Sequence, residues 1–147
     1  LDWETNRQHL LSAITAAREA EVGVLCLPEL CISGYGCEDA FFADGVQQTS
    51  LELLAEIVPH TLGLTAALGL PLQVEGRLYN TAAFVCDGTL IGFVAKQHMA
   101  DDGIHYEPRW FKSWPVGEVR EITLAGKPYP VGDLLFDCGG IVTQNVH

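Results

Sequence analysis

A run of six residues without a charge, 22–27, is cut by Pro28 and followed at once by a carboxylate, Glu29. Six residues suit a strand covered on both faces and are too few for a buried helix. Pro28 ends the run, so Glu29 is expected just beyond the carboxyl end of a core strand, where open α/β sheets gather their ligands. A carboxylate there acts as a general base, or it merely turns the chain into water. The stretch continues as Leu30-Cys31-Ile32-Ser33-Gly34-Tyr35-Gly36-Cys37-Glu38-Asp39. Gly34 and Gly36 lack the third glycine and the following helix of a dinucleotide fingerprint.

The rest of the chain supplies the partners such a strand needs. Leu10, Ala13, Ile14 and Ala17 form the stripe of an amphipathic helix over residues 2–20, with Asp2 as its N-cap. Phe41-Phe42 is an apolar anchor for a long surface loop, and Thr49-x-x-Glu52 reads as a capping box. That box predicts a second helix, with Leu51, Leu54, Ala55 and Val58 on its buried face and Pro59 at its end. The apolar run 64–70, closed by Pro71, predicts another buried strand. Asp87-Gly88 between the runs 78–86 and 89–95 is a strong hairpin signal. Lys96 stands at the end of the second hairpin strand, as Glu29 stands at the end of its own. Residues 97–113 form a polar and aromatic loop too rich in functional side chains to be a plain connector. Short strands are expected at 119–124, 129–131 and 134–136, and 139–142 reads as a turn into a further core strand.

Composition narrows the function. The 147 residues make one domain, and 48% apolar content is enough for a core. A net charge of −11 repels phosphate backbones and anionic lipid, so neither nucleic acid nor membrane is an expected partner. The first residues lack the pattern of a signal peptide, and the five cysteines, without a Cys-x-x-Cys pair, read as reduced cytosolic thiols. Cys26 and Cys86 fall inside apolar strands and Cys138 in a Gly-Gly turn, poor places for a thiolate. His98, Asp101, Asp102 and His105 do not have the spacing of a metal site.

Glu29, Lys96 and Glu107 remain as a charged trio. With a thiol, such a trio can hydrolyse an amide: the glutamate takes the thiol proton and the lysine faces the oxyanion. The alternative is that Lys96 and Glu107 form an ordinary surface ion pair.

Residues 27–35, Leu-Pro-Glu-Leu-Cys-Ile-Ser-Gly-Tyr, resemble the first signature of the nitrilase superfamily of carbon-nitrogen hydrolases. Leu78-Tyr79-Asn80-Thr81-Ala82, Lys96-Gln97-His98-Met99-Ala100 and His105-Tyr106-Glu107-Pro108-Arg109-Trp110-Phe111 narrow the resemblance to the amino-terminal glutaminase domains of glutamine-dependent NAD synthetases. The resemblance implies an α/β fold, a partial nitrilase-like α-β-β-α sandwich with a mixed sheet and flanking helices, over residues 1–147. It implies Glu29 as general base, Lys96 as oxyanion-stabilising lysine and Glu107 as the glutamate that holds the lysine. Many members carry a substrate-contacting tyrosine six residues after the lysine; here that position is Asp102, and Tyr106 is the nearby substitute. The expected partners are glutamine and a synthetase domain of the same protein, in a homo-oligomer. ATP and magnesium are expected only in that synthetase domain, with no cofactor in this chain. The family's nucleophilic cysteine is expected a few residues past His147, and its first sheet strand ahead of Leu1. A free-standing amidase and a non-catalytic interaction module remain the alternatives.

Overall fold

The computed structural model describes residues 1–102, 106–137 and 142–143. Helix α1 (Trp3–Glu19) begins where Asp2 accepts a hydrogen bond from the Thr5 amide at 3.0 Å, and it buries Leu10, Ile14 and Ala17. Strand β1 (Val24–Cys26) follows. Val24 and Leu25 are only half-buried and Cys26 is exposed, so the expectation of a strand covered on both faces is corrected. Among the described residues β1 is the edge of its sheet, flanked only by the next strand.

Residues Tyr35–Phe42 form tight 3₁₀ turns rather than a long loop; Phe41 is buried and Phe42 exposed. They lead directly into α2 (Asp44–Ile57), which starts five residues before the expected capping box. Thr49 and Glu52 therefore lie inside the helix. Its buried stripe, Val46, Ser50, Leu53, Leu54 and Ile57, is rotated from the expected one, leaving Ala55 exposed. A 3₁₀ turn containing Pro59 ends the helix.

Strand β2 (Thr65–Val74) runs through Pro71 instead of stopping there. Beyond Ala67, among the described residues, only one strand flanks it, and proline is tolerated on such an edge because no ladder bond is lost. Strands β3 (Arg77–Cys86) and β4 (Thr89–Ala95) form the expected hairpin; φ is positive at both Asp87 (47°) and Gly88 (72°), as its two-residue turn requires. Glu75-Gly76 joins β2 to β3 through the same kind of turn. Strands β5 (Val119–Leu124) and β6 (Lys127–Gly132) add a further hairpin, and β4 pairs with β6 in parallel. The expected strand at 134–136 is reduced to β7 (Phe136–Asp137), which pairs with β8 (Val142–Thr143) apart from the main sheet. Cys138 and the Gly139-Gly140-Ile141 turn lie outside the described residues.

The result is a six-stranded mixed sheet in the order β1-β2-β3-β4-β6-β5. Leu68, Leu70, Ala83, Val85 and Phe93 project from one face into a core shared with Leu10 and Ile14 of α1 and Leu54 and Ile57 of α2. The alternation of strands sends Ala67, Ala82 and Val94 to the other face.

Candidate active site

Three backbone features bring the trio together. Continuing the pairing of Thr81 with Ala95 by one step sets Lys96 opposite Asn80, and the Lys96 amide donates to the Asn80 carbonyl at 2.9 Å. Their side chains thus leave the same face of the sheet. Next, the segment after β1 lies directly over β2 at Gly69: a Cβ there would sit 2.8 Å from the Pro28 carbonyl and closer still to the Leu30 amide. The Ile32 amide donates to the Gly69 carbonyl at 3.1 Å and fixes that approach. Finally, the loop after β4 folds back, with Lys112 donating to the Leu78 carbonyl at 2.9 Å and Trp114 to that of Lys96 at 3.0 Å. A one-turn helix in this loop, α3 (Glu107–Trp110), carries the second glutamate. Phe111 and Phe41 pack beneath it with ring centroids 5.0 Å apart, while Asp39 accepts two bonds of 2.8 Å from the Arg109 guanidinium.

The Lys96 ammonium donates to Glu29 Oε1 at 2.6 Å and to Glu107 Oε2 at 2.8 Å. The Asn80 side-chain amide donates to Glu29 Oε1 at 2.6 Å and Glu107 Oε1 at 2.9 Å, and the Ala100 amide to Glu107 Oε2 at 2.6 Å. The Glu107 side chain is 1% exposed and that of Glu29 39%. A carboxylate as buried as Glu107 is tolerable because both of its oxygens accept hydrogen bonds, Oε1 from Asn80 and Oε2 from Lys96 and Ala100. Burial pushes the Glu107 carboxyl up, but Lys96, the Ala100 amide and Asn80 outweigh it and hold it below the usual glutamate value. Burial likewise pulls the Lys96 ammonium down, and its two glutamate partners leave it above the usual lysine value.

Glu29, Lys96 and Asn80 open onto a cleft of about 240 Å³, floored by Gly69 and Ala82 and reached by Gln97 and Asp133. A larger apolar groove, between α2 and the β5–β6 hairpin, contains none of the trio. Cys26 also lines the cleft, so its expected place inside an apolar strand is corrected by the exposure of β1. Burial pushes the Cys31 thiol up to about 11 and raises that of Cys37. Cys86 closes β3, half-buried rather than enclosed, and accepts from the Thr65 hydroxyl at 3.6 Å. Tyr106 stands 58% exposed at the N-cap of α3 and is not among the residues lining the cleft. Burial raises the Tyr35 hydroxyl above its ordinary value, and the charges of Glu107 and Glu29 raise it further. Among the described residues no group of three or more His, Cys, Asp or Glu side chains is arranged to hold a metal ion; His105 lies outside them.

Asn80, Gly69 and Tyr35 entered the sequence reading only as motif letters or not at all. Asn80 had a readable signal, a polar residue within a buried hairpin strand near the level of Lys96.

Helices on one face of a mixed sheet and a lysine shared by two glutamates define a class of hydrolase scaffold, and the Carbon-nitrogen hydrolase family profile matches residues 1–143: the chain belongs to that family. Its relatives are more particular. It is 35% identical over 116 residues to the glutamine-dependent NAD(+) synthetase of Saccharomyces cerevisiae, covering 78% of this chain and 16% of that protein. The corresponding enzyme of Oryza sativa is 31% identical over the same coverage of 78% and 16%. The crystal structure of a glutamine-dependent NAD(+) synthetase from Cytophaga hutchinsonii matches with a TM-score of 0.94 at 43% identity, over 97% of this chain and 24% of that one. An amidase from Nesterenkonia sp. shares the fold, with a TM-score of 0.65 at 17% identity over 87% of this chain and 48% of that one. The chain therefore spans about a sixth of these curated relatives.

Proposed function

We propose that this chain supplies the general base and the oxyanion-stabilising lysine of a glutamine amidohydrolase, which releases ammonia for a synthetase domain of the complete protein. The observation that carries the reading is the unequal exposure of two glutamates bound to one lysine: Glu107 is sealed and Glu29 opens to the cleft. Glu107 anchors the lysine, and Glu29 exchanges protons with substrate and nucleophile. Lys96 has three N–H groups, two committed to the glutamates and one to offer an oxyanion.

In the proposed reaction Glu29 takes the proton of a cysteine thiol, and the thiolate attacks the side-chain amide carbon of glutamine. The oxyanion faces Lys96. Collapse of the tetrahedral adduct breaks the carbon-nitrogen bond, Glu29 returns its proton to the leaving ammonia, and a thioester remains. Water then attacks the thioester with Glu29 again as base, the carbon-sulfur bond breaks, the proton on Glu29 returns to the leaving thiolate, and glutamate departs. The thiol is proposed to lie in the complete protein outside residues 1–147; burial, which pushes the Cys31 thiol up to about 11 and raises that of Cys37, disfavours those two as the nucleophile. ATP and magnesium belong to the synthetase domain, which amidates deaminated NAD. Similarity to glutamine-dependent synthetases favours glutamine over other amides.

The test is labelling with an electrophilic glutamine analogue. The complete protein is expected to form one stoichiometric adduct on a cysteine outside residues 1–147, and this chain alone none. An adduct on Cys26, lost on Lys96→Ala, would overturn the assignment and make this chain self-sufficient. A substrate panel on the complete protein separates a glutaminase from a general amidase.

A further inference from the structure

Asn80 is 3% exposed in the middle of β3, and its side-chain nitrogen touches both glutamates of the site, Glu29 Oε1 at 2.6 Å and Glu107 Oε1 at 2.9 Å. Since both neighbours are carboxylates, only the NH₂ side of the amide can face them, which fixes its orientation. Lys96 bridges the same two carboxylates from the next strand, at 2.6 and 2.8 Å. The four side chains therefore close a ring in which glutamates alternate with donors.

The ring explains why a neutral donor is needed. Two carboxylates and one ammonium leave one negative charge in excess, and neighbouring carboxylates in that state tend to bind a proton between them. A base that has already taken that proton cannot accept one from a nucleophile. A second lysine would cancel the excess charge but would hold Glu29 too firmly ionised to pass a proton on. A primary amide provides two N–H groups from a single atom without adding charge, and an aspartate or leucine of similar size provides none.

The same bonds fix which oxygen reacts. Both donors to Glu29 among the described residues, Asn80 and Lys96, meet at Oε1. With only one of them the carboxylate could pivot about that contact.

Building on the proposed amidohydrolase reading, we infer that Asn80 is a positioning residue of this site: its amide spans the two glutamates, commits Glu29 Oε1, and leaves Oε2 as the atom that takes the proton. Among the described residues, the charged and titratable groups around Glu29 include Lys96 at the end of β4, Glu107 from α3, Tyr35 from the 3₁₀ turns, Cys26 from β1 and Asp133 at the cleft after β6. Removing Asn80 leaves them in place and takes away the one neutral side-chain donor, among the described residues, shared by both carboxylates.

Asn80→Asp keeps the shape and replaces the donor by an acceptor, so it tests the role without opening a cavity. Asn80→Ser keeps a single shorter hydroxyl. In the complete protein, Asn80→Asp should lower kcat for glutamine hydrolysis roughly 100-fold with KM changed by no more than about threefold, as expected for a misplaced base. The acid limb of its kcat/KM profile should move up by about one pH unit. Asn80→Ser should fall between the parent and Asn80→Asp on both measures. In the complete protein, NMR titration of carboxyl-labelled Glu107 should show a higher midpoint in Asn80→Ser than in the parent. An unchanged acid limb, with activity lost only in proportion to folded protein, would make Asn80 a purely structural residue and overturn the inference, as would an unmoved Glu107 midpoint. If the complete parent protein does not hydrolyse glutamine, the glutaminase reading fails on its own, and the Glu107 titration still decides whether Asn80 controls the carboxylates.

Discussion

Glu29 and Glu107 are one residue type in two environments, and their difference sets what each can do. Glu107, sealed and bonded to Lys96, Ala100 and Asn80, is fixed in place; Glu29 meets the cleft. Lys96 lies between them as a compact point charge. Lys96→Arg should therefore reduce glutamine turnover nearly as far as Lys96→Ala, roughly 100-fold or more, because a planar fork cannot bond both glutamates and an oxyanion from one nitrogen. Steady-state kinetics check this, and an active Lys96→Arg protein would make Lys96 a surface residue. Stability should follow the same charges. The Glu107 carboxyl lies below its ordinary value of 4.5, so its contribution is present above that value and is lost as pH falls through the folded value. Lys96 lies above 10.5, and its contribution is present below that value and lost as pH rises through the folded value. The gap in Tm between the parent and Glu107→Gln should be wide near neutrality and narrow below the ordinary carboxylate range. A gap that stays constant through acid would show that no charge on Glu107 stabilises the fold.

At the scale of elements, the site depends on two close fits, one visible in sequence and one hidden. The Asp87-Gly88 turn announces the β3–β4 hairpin. Counting outward from that turn without interruption would pair Lys96 with Tyr79 and send its side chain into the helix-covered core. A bulge between Phe84 and Val85, which leaves Ile91 outside the pairing, shifts the register by one and turns Lys96 to the Asn80 face. The one local sign of that bulge is the isolated Gly92 beside Ile91, and an isolated strand glycine marks a close backbone approach as readily as a bulge. Helix α2 starts earlier than its sequence suggests for a related reason: its N-cap is Ala43, without a side-chain cap bond, while the interior Thr49-Glu52 pair imitates a capping box. The second close fit is Gly69 beneath the Glu29 segment. Gly69→Ala forces a methyl group against the backbone of Pro28 and Leu30, and should cost about 1–3 kcal/mol while displacing Glu29 and lowering turnover. Gly45→Ala, where a Cβ meets nothing within 4 Å, should instead be neutral or stabilise α2 by about 0.5–1 kcal/mol. Urea denaturation of both variants distinguishes a crowded backbone from a general intolerance of alanine.

Across the whole molecule, α1 and α2 cover one face of the sheet and the trio opens on the other, so the main core and the chemistry are separated by a single layer of strands. The mixed α/β class and the three charged residues were legible because they rest on apolar runs, a turn dipeptide and signature motifs. Their union was not, because it depends on a loop that returns through the Lys112 and Trp114 backbone bonds. The half-open state of β1 was equally hidden, since an apolar run does not tell how many of its sides are paired. No described helix is long and apolar enough to cross a membrane. The central claim is that Glu29 is a working base and not a turn residue. Its most direct test is Glu29→Gln in the complete protein, measured as ammonia released from glutamine beside synthesis supported by added ammonia. Glutamine hydrolysis should fall by roughly three orders of magnitude, with ammonia-supported synthesis retained. Near-normal glutamine hydrolysis by Glu29→Gln would contradict the account.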